Sequence, residues 1–589
     1  MDIKKKPLIF DGAMGTYYNL VSKNPSTKCE FGNIYDRETI LNIHKEYIEA
    51  GCEAIRTNTF GANKEALESD FNTVKKVITE AYDIALEAVK GASKGTSVSI
   101  FADIGPIKDL EGDELFHEYQ EIVDLFLDLG AENFIFETFS QEECLIDICR
   151  YIKGKNSKAF ILVEFSVSPE GYTRLGNSGK KLLEKLSKVS EIDGLGFNCF
   201  SGSYHLLQYI KGFNIEDKII SIMPNSGYPT IINNRTFFDN SKEYFGNQML
   251  EIARLGVSIL GGCCGTTPDY IKEMVLKLKE LNLEDIVYDK KPKKTEVKKS
   301  QAENLLINKI NKGEKIIAVE LDPPIDTEIE FFMESAKKLK NQGVNAITIA
   351  DCPIARARVD SSILACKLKR ELDITPIPHM TCRDRNINAT KALLLGLNIE
   401  GVNNVLVVTG DPIPSAERNE VKGVFSFNSS ILANYITNLN ETTFKSPFNI
   451  CGALNVNAKN FNAQLNQAKK KIENGITMFL TQPVLTKEAL ENLKLARKEL
   501  NGKILGGIIP IVSYRNACFM NNEISGINVS EEIIERYEDV SKEEATNLAI
   551  EISTKIAKEI SPYVDGYYLI TPFKRIDIIS EIIDNIKSN

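Results

Sequence analysis

Cys263 and Cys264 stand side by side in Ile259-Leu-Gly-Gly-Cys-Cys-Gly-Thr-Thr267, directly after a short apolar run and before Pro268-Asp269, where a helix is expected to start. Neighbouring side chains on a strand point to opposite faces, so both sulfurs reach one ion only if the chain turns there. Gly261, Gly262 and Gly265 permit such a turn. A third thiol, Cys199, ends the run Gly194-Leu-Gly-Phe-Asn-Cys199. Three thiolates on a tetrahedral Zn²⁺ leave one position open, the arrangement of a catalytic zinc. A thiol entering that position is deprotonated at neutral pH, where a free thiol of pKa about 8.5 mostly is not. Alkyl transfer to sulfur is the chemistry this suits. For the amino-acid end of such a substrate, Asp11 and Glu137 offer carboxylates to an ammonium, and backbone N–H groups beside Gly12 and Thr57 can meet a carboxylate.

The elements that must position these residues recur. Eight short apolar runs, at Leu8–Phe10, Ala54–Thr57, Val98–Ala102, Asn133–Phe136, Phe160–Phe165, Leu195–Phe197, Ile219–Met223 and Val257–Leu260, alternate with stretches such as Glu38–Ala50 and Val74–Val89. Those stretches are apolar at three- and four-residue spacing, as helices are. The alternation predicts a (β/α)₈ barrel with its active site at the carboxyl ends of the strands. Asp11, Thr57, Asn58, Asp103, Glu137, Asn198, Cys199, Asn225, Cys263 and Cys264 all fall at those ends.

Past Leu283 the pattern lapses into Tyr288-Asp-Lys-Lys-Pro-Lys-Lys-Thr-Glu-Val-Lys-Lys-Ser300, a solvated connector over 288–301. A second series then begins, with runs at Ile316–Val319, Ala346–Ile349, Pro376–Met380, Val405–Val408, Ile450–Leu454, Met478–Leu480, Ile504–Ile509 and Tyr567–Ile570. The expected fold is therefore α/β, two (β/α)₈ barrels in tandem over 1–287 and 302–589, which the 589 residues accommodate. Glu320 ends the first run of the second series, ahead of Pro323-Pro324, and shielding at a barrel mouth can raise a carboxyl's pKa enough for acid catalysis near neutrality. Asp322 and Asp351 are the next candidates for an acid. Thr409-Gly410-Asp411 forms a tight turn that brings backbone close to a ligand, and His379 and Thr381 lie beside the same mouth.

A net charge of −10 spread along the chain argues against nucleic-acid binding. No apolar run reaches the roughly 18 residues of a membrane span, and Leu8-Ile9-Phe10 is too short for a signal peptide's apolar core. A cytoplasmic protein is expected, with its twelve cysteines reduced.

Asp11-Gly-Ala-Met-Gly-Thr16, Thr57-Asn-Thr-Phe60, Ile104-Gly-Pro106, Glu137-Thr138, Gly196-Phe-Asn-Cys199, Pro224-Asn225 and Gly261-Gly-Cys-Cys-Gly265 resemble the homocysteine S-methyltransferase family over residues 1–287. The resemblance implies zinc on Cys199, Cys263 and Cys264, with homocysteine held by Asp11, Thr57 and Glu137. The second half resembles the methylenetetrahydrofolate reductase family through Glu320 with Pro323-Pro324, His379-Met-Thr-Cys382, Val408-Thr-Gly-Asp411, Glu473-Asn-Gly475, Thr481-Gln482, Gly507-Ile-Ile-Pro-Ile511 and Tyr568-Leu-Ile-Thr571. That implies a non-covalent FAD reduced by NADH or NADPH, bound near His379, Thr381, Thr409, Gly410 and Asp411, with Asp411 a catalytic residue near the folate as well. Glu320 would be the acid and Gln482 would hydrogen-bond the pterin. Leu321-Asp322 and Ala350-Asp-Cys-Pro-Ile-Ala-Arg356 depart from that family's pattern. Together the halves imply a bifunctional one-carbon enzyme that makes 5-methyltetrahydrofolate and methylates homocysteine, with a homo-oligomer as one option for its assembly. One alternative is the homocysteine and folate module of a split cobalamin-dependent methionine synthase, with the corrinoid on a separate protein. Another is a thiol and flavin redox sensor without turnover.

Overall fold

The computed structural model describes residues 6–588 apart from 24–27, 93–96, 109, 212, 214–217, 228–229, 233–234, 238–240, 282–303, 412, 414–422, 425–427 and 525; of 230–232 and 235–237 it describes the backbone alone. The chain divides into two compact units, Met1–Thr295 and Glu296–Asn589. The connector expected over 288–301 lies outside the described residues.

The first unit holds strands β1 (Leu8–Ile9), β2 (Ala54–Arg56), β3 (Ser99–Ile104), β4 (Asn133–Phe139), β5 (Phe160–Phe165), β6 (Gly194–Gly202), β7 (Ile219–Asn225) and β8 (Ile259–Leu260). They pair in parallel in the order β1-β8-β7-β6-β5-β4-β3-β2. A parallel bridge between Phe10 and Ala54 joins the two ends of that sheet and closes it into a barrel. The second unit is a closed barrel of β9 (Ile316–Leu321), β10 (Ala346–Ile349), β11 (Thr375–Thr381), β12 (Asn404–Val408), β13 (Asn449–Leu454), β14 (Met478–Pro483), β15 (Lys503–Ile508) and β16 (Gly566–Ile570). Each apolar run read from the sequence lies on one of these strands.

The helices between strands form for local reasons. Asp70 caps the helix Phe71–Lys90 by accepting the Thr73 N–H at 2.9 Å. The helix then buries Val74, Val77, Ile78, Ala81, Tyr82, Ala85 and Ala88, a stripe at helical spacing that packs on the outer face of the sheet. Side chains alternate across each strand, so a second core fills each barrel's interior. In the first barrel this core is Leu8, Phe10, Ala54, Phe101, Ile135, Leu162, Met223 and Ile259. In the second, Leu306 and Ile310 of the helix Leu305–Asn311 join strand residues such as Ala318, Ala346, Ile377 and Leu480 in the corresponding cluster. Among the described residues no helix is long and apolar enough to cross a membrane.

Candidate active sites

The alternation that fills the interiors also selects what lines the mouths. Residues two positions beyond Ala54, Phe101, Ile135, Leu162 and Met223 face the same interior, one layer nearer the carboxyl ends. They are Arg56, Asp103, Glu137, Glu164 and Asn225, so the apolar core ends in a polar floor.

Strands β4 and β6 both break register as they reach that floor, between Phe136 and Phe139 and between Asn198 and Gly202. Thr138, Cys199 and Phe200 there take φ values of 66°, 52° and 59°, a region that non-glycine residues occupy only when their surroundings hold them. Asn198 provides part of that hold. Its Oδ1 accepts the Thr138 N–H at 2.9 Å, and its Nδ2 donates to Thr138 Oγ1 at 2.9 Å and to Glu137 Oε2 at 3.0 Å. The same nitrogen lies 4.0 Å from Cys263 Sγ.

The turn at Cys199 brings its sulfur to the pair after β8. Cys199 Sγ is 3.7 Å from Cys264 Sγ, and the sulfurs of Cys199, Cys263 and Cys264 all lie within 4.8 Å of one another. Zn–S bonds of about 2.3 Å at tetrahedral angles separate sulfurs by about 3.8 Å, so the donor set fits that ion. Gly262 is required by this turn, because a Cβ on it would stand 2.2 Å from Thr266 Oγ1. That hydroxyl donates to the Cys263 carbonyl at 2.6 Å. Hydrogen bonds from Cys263 and then Cys264 pull Cys199 down to about 3, whereas bonding to Cys199 pushes Cys264 up to about 12. A single thiolate is comfortable in this cluster; a cation among the sulfurs removes the penalty on the others.

Beside the thiols lies a buried cation that the motifs did not point to. The Arg56 Nε donates to Asp11 Oδ1 at 2.9 Å, Nη1 to Glu137 Oε2 at 2.6 Å, and Nη2 to the carbonyls of Gly12 and Gly262 at 2.7 and 2.8 Å. The Arg56 backbone N–H donates to Asp11 Oδ2 at 2.9 Å, so each oxygen of Asp11 accepts a bond from Arg56. Burial pushes the Asp11 carboxyl up and the Arg56 charge and bonds oppose that push. Arg56 remains charged, its burial outweighed by Glu137 and Asp11. Thr57 Oγ1 lies 2.7 Å from Thr59 Oγ1 and accepts the Asp103 N–H at 3.0 Å. The structure thus gathers Asp11, Thr57, Asp103, Glu137, Asn198 and the three thiols at one mouth, with Asp11 and Glu137 sharing Arg56, whereas Asn58 turns to Asn33 and the Cys29 carbonyl.

In the second barrel, alternation from Ala318, Ala346, Ile377 and Leu480 puts Glu320, Thr348, His379 and Gln482 on the inner face. Glu320 Oε2 accepts the Tyr568 hydroxyl and lies 3.5 Å from His379 Nε2. Burial holds Glu320 above its usual range, with the Tyr568 bond pulling part of the way back. Burial also lowers His379 to about 4, so the imidazole is neutral at pH 7. The acid therefore has neutral neighbours.

The other residues singled out form a rim. Asp411 Oδ2 accepts the Ile354 N–H at 2.9 Å, and its carbonyl accepts Arg383 Nη1 at 3.1 Å. Cys352, Ile354 and Ala355 have φ values of 46°, 55° and 56°, so the loop after β10 is strained where Asp411 ties it down. Gly410 takes φ 94°, and a Cβ there would sit 3.2 Å from Thr381 Cβ. Thr381 gives its N–H and hydroxyl to Asp351 Oδ2 at 3.0 and 2.9 Å, and Arg385 Nη1 reaches the same oxygen at 2.7 Å. Burial pushes Asp351 up, but Arg385 and Thr381 more than offset it and hold the carboxyl below its usual range. Asp351 is therefore no reserve acid. Asp322 is exposed. Thr409 Oγ1 is 3.5 Å from Ser429 Oγ.

Sequence reasoning gave Arg56 no part, put Asn198 only at a strand end and Tyr568 only in a motif, and foresaw the contacts of none of the three. A lone arginine in the buried run Ala54-Ile55-Arg56 was a signal, since a buried cation needs a partner.

Two parallel barrels, one with clustered thiols at its mouth and one with a buried acid, make a pair of α/β barrels in one chain. Residues 8–278 match the family described as Homocysteine S-methyltransferase, and residues 306–587 match that described as Methylenetetrahydrofolate reductase. The chain therefore carries a homocysteine S-methyltransferase domain followed by a methylenetetrahydrofolate reductase domain. It is similar to methionine synthase of Mycobacterium leprae (strain TN), 25% identical over 48% of this chain and 25% of that one. It is also similar to methionine synthase of Mycobacterium tuberculosis (strain ATCC 25618 / H37Rv), 26% identical over 46% of this chain and 24% of that one. The chain spans about a quarter of the length of these relatives. Among solved structures, the homocysteine methyltransferase MmuM from Escherichia coli in its metallated form aligns at 20% identity and TM-score 0.39, covering 46% of this chain and 97% of that one. Its oxidized form aligns at 18% and 0.38, covering 46% and 96%.

Proposed function

We propose that the first barrel methylates homocysteine to methionine at a zinc held by Cys199, Cys263 and Cys264, and that the second reduces 5,10-methylenetetrahydrofolate to 5-methyltetrahydrofolate with FAD and NADH or NADPH. The observation that carries the first reading is the sulfur spacing, 3.7 Å between Cys199 and Cys264 with Cys263 in the same group. When bound there, zinc supplies a substrate thiolate at neutral pH. Asn198 holds Glu137 and both register breaks, so Cys199 stays aimed at its partners. Glu137 and Thr57 bound the space for the amino-acid end, with Asp11 fixed beside them by Arg56.

For the second barrel, the observation is a buried carboxyl on β9 with neutral neighbours. FAD supplies the hydride when bound. His379, Thr381, Thr409, Gly410 and Asp411 would bound the flavin, and Gln482 would meet the pterin. Opening the methylene bridge requires a proton at N10, and Glu320 keeps one at pH values where an exposed glutamate has lost it. Tyr568 donates to Oε2, so the acid proton of Glu320 rests on Oε1.

A second reading is favoured by the similarity to methionine synthases: the methyl donor is a methylated corrinoid on a separate protein, and this chain supplies the homocysteine and folate sites. One assay separates them. The chain is given methylenetetrahydrofolate, NADH or NADPH and homocysteine, with S-methylmethionine, S-adenosylmethionine, no addition, or a methylated corrinoid protein, and methionine is measured. Methionine with a small-molecule donor or methylfolate alone supports the first reading. Methionine only with the corrinoid protein supports the second. A chain that makes neither methionine nor methylfolate under any condition contradicts both.

A further inference from the structure

The loop that follows β5 brings a second arginine to the first barrel's mouth. Arg174 is exposed and stands over the ring of Phe200, its Cζ 5.3 Å from the ring centroid. Among the described residues it has no ion pair and no hydrogen bond. Arg56 commits each of its side-chain nitrogens to protein groups. Arg174 instead keeps all five N–H donors of its guanidinium for a partner outside the described residues.

Both members of this pair sit on fixed backbone. Phe200 directly follows Cys199 within the register break of β6, with φ 59°. The next residue, Ser201, donates from Oγ to the Val167 carbonyl at 2.6 Å, which ties that strand end to the loop carrying Arg174. Within the loop, the Gly176 N–H donates to the Thr173 carbonyl at 2.9 Å and closes a turn with Arg174 and Leu175 at its corners. Thr173 Oγ1 and Asn177 Nδ2 both donate to the Ser140 carbonyl just past β4, at 2.8 and 3.0 Å. The ring of Phe200 therefore offers a platform beside one of the clustered sulfurs, and a guanidinium stacked on it keeps its N–H edge for an anion.

We propose that Arg174 binds a carboxylate of the methyl donor and holds the donor over the thiol cluster. This rests on the reading of the first barrel as a homocysteine methyltransferase site. Asp11, Thr57 and Glu137 stand at the ends of β1, β2 and β4, the side given to the thiol substrate. Arg174 and Phe200 stand at the ends of β5 and β6, the side left to the second substrate. S-methylmethionine, S-adenosylmethionine and 5-methyltetrahydrofolate carry their methyl groups on different atoms, yet each has a carboxylate. A guanidinium pairs with that group through two parallel N–H bonds.

The test uses the zinc-loaded full chain at saturating homocysteine, with S-methylmethionine, S-adenosylmethionine or 5-methyltetrahydrofolate varied in separate arms and methionine measured, so that the arms identify the source of the carboxylate. Arg174→Gln is expected to raise the KM of the donor in use roughly 10- to 100-fold, the loss of a charge-assisted hydrogen bond, with kcat within about 3-fold. Arg174→Lys keeps the charge and should recover part of that loss. Calorimetric titration with homocysteine gives a readout independent of turnover, and its affinity should stay within about 3-fold in both variants. An unchanged KM for every donor that the wild type uses would overturn the assignment. So would an equal loss of homocysteine affinity, which would make Arg174 part of the thiol's own site. Methionine formed only with a methylated corrinoid protein would also overturn it while leaving the homocysteine reading in place. A wild type that binds no homocysteine would instead fail that reading itself.

Discussion

The two barrels put buried carboxyl groups at equivalent places and give them different partners. At the first mouth Asp11 and Glu137 share the buried guanidinium of Arg56, at 2.9 and 2.6 Å, and the pairing suits charged carboxylates. At the second mouth Glu320 meets a tyrosine hydroxyl and a histidine that burial has made neutral. Among the described residues no cation touches it, and burial holds its carboxyl above the usual range. The fold alone does not set protonation. At each mouth one inward-facing residue, arginine on β2 in one case and tyrosine on β16 in the other, opposes the rise that burial gives its partner carboxyl, the arginine with a full charge and the tyrosine with a neutral hydroxyl.

That comparison can be broken most forcefully at Glu320. Glu320→Gln keeps the shape and removes the acid, so oxidation of reduced flavin by methylenetetrahydrofolate should slow by about 10²- to 10⁴-fold, while flavin reduction by NADH or NADPH stays near the wild-type rate. Stopped-flow absorbance separates the two steps. Slowed flavin reduction with normal folate turnover would make Glu320 a cofactor-positioning residue instead. Because the substitution leaves no charge behind, stability to denaturant should change little.

Arg56→Met should behave differently. It strands Asp11 and Glu137 without their cation, and breaking a buried ion pair from one side typically costs about 3–5 kcal/mol. Urea unfolding of the first barrel's transition would show that loss, and an unchanged midpoint would mean that the pair is not holding charge. A smaller effect is expected from Tyr568→Phe. The Tyr568 bond lowers the Glu320 pKa, so its removal raises it. A general acid works below its pKa, hence the alkaline limb of the folate half-reaction should move to higher pH. The rate on its plateau should fall about 10-fold, because one charge-assisted hydrogen bond to the departing carboxylate is lost. A limb that moves to lower pH would contradict the assignment.

The architecture was legible because each strand is a short apolar run with its own following helix, and runs such as Ala346–Ile349 and Phe160–Phe165 coincide with strands residue for residue. Strand ends were less legible. The sixth run of the first half stops at Phe197 by its apolar content, whereas β6 continues to Gly202 through a register break. That break depends on Asn198 bonding to Thr138 on another strand, which no local pattern encodes. The thiol cluster could be read from residue type and glycine spacing. Which acids Arg56 would join could not, since Asp11, Asp103 and Glu137 are all strand-end carboxylates in sequence. Register settles it, placing Arg56 opposite Phe101 and so below Asp103. Tyr568 lies on the last strand of the second barrel and Glu320 on its first, 248 residues apart, so their contact exists only once that barrel closes.

The central claim is that this chain carries two chemically separate sites, one built on thiols and one on a buried acid. The most direct test is Cys263→Ala in the full chain, with zinc content, methionine formation and flavin oxidation by methylenetetrahydrofolate measured on one sample. Removing one of three charged ligands should cost most of the zinc affinity. Zinc and methionine formation should therefore be lost while flavin oxidation stays at its wild-type rate. Full zinc occupancy in the variant, or loss of both activities together, would contradict the account.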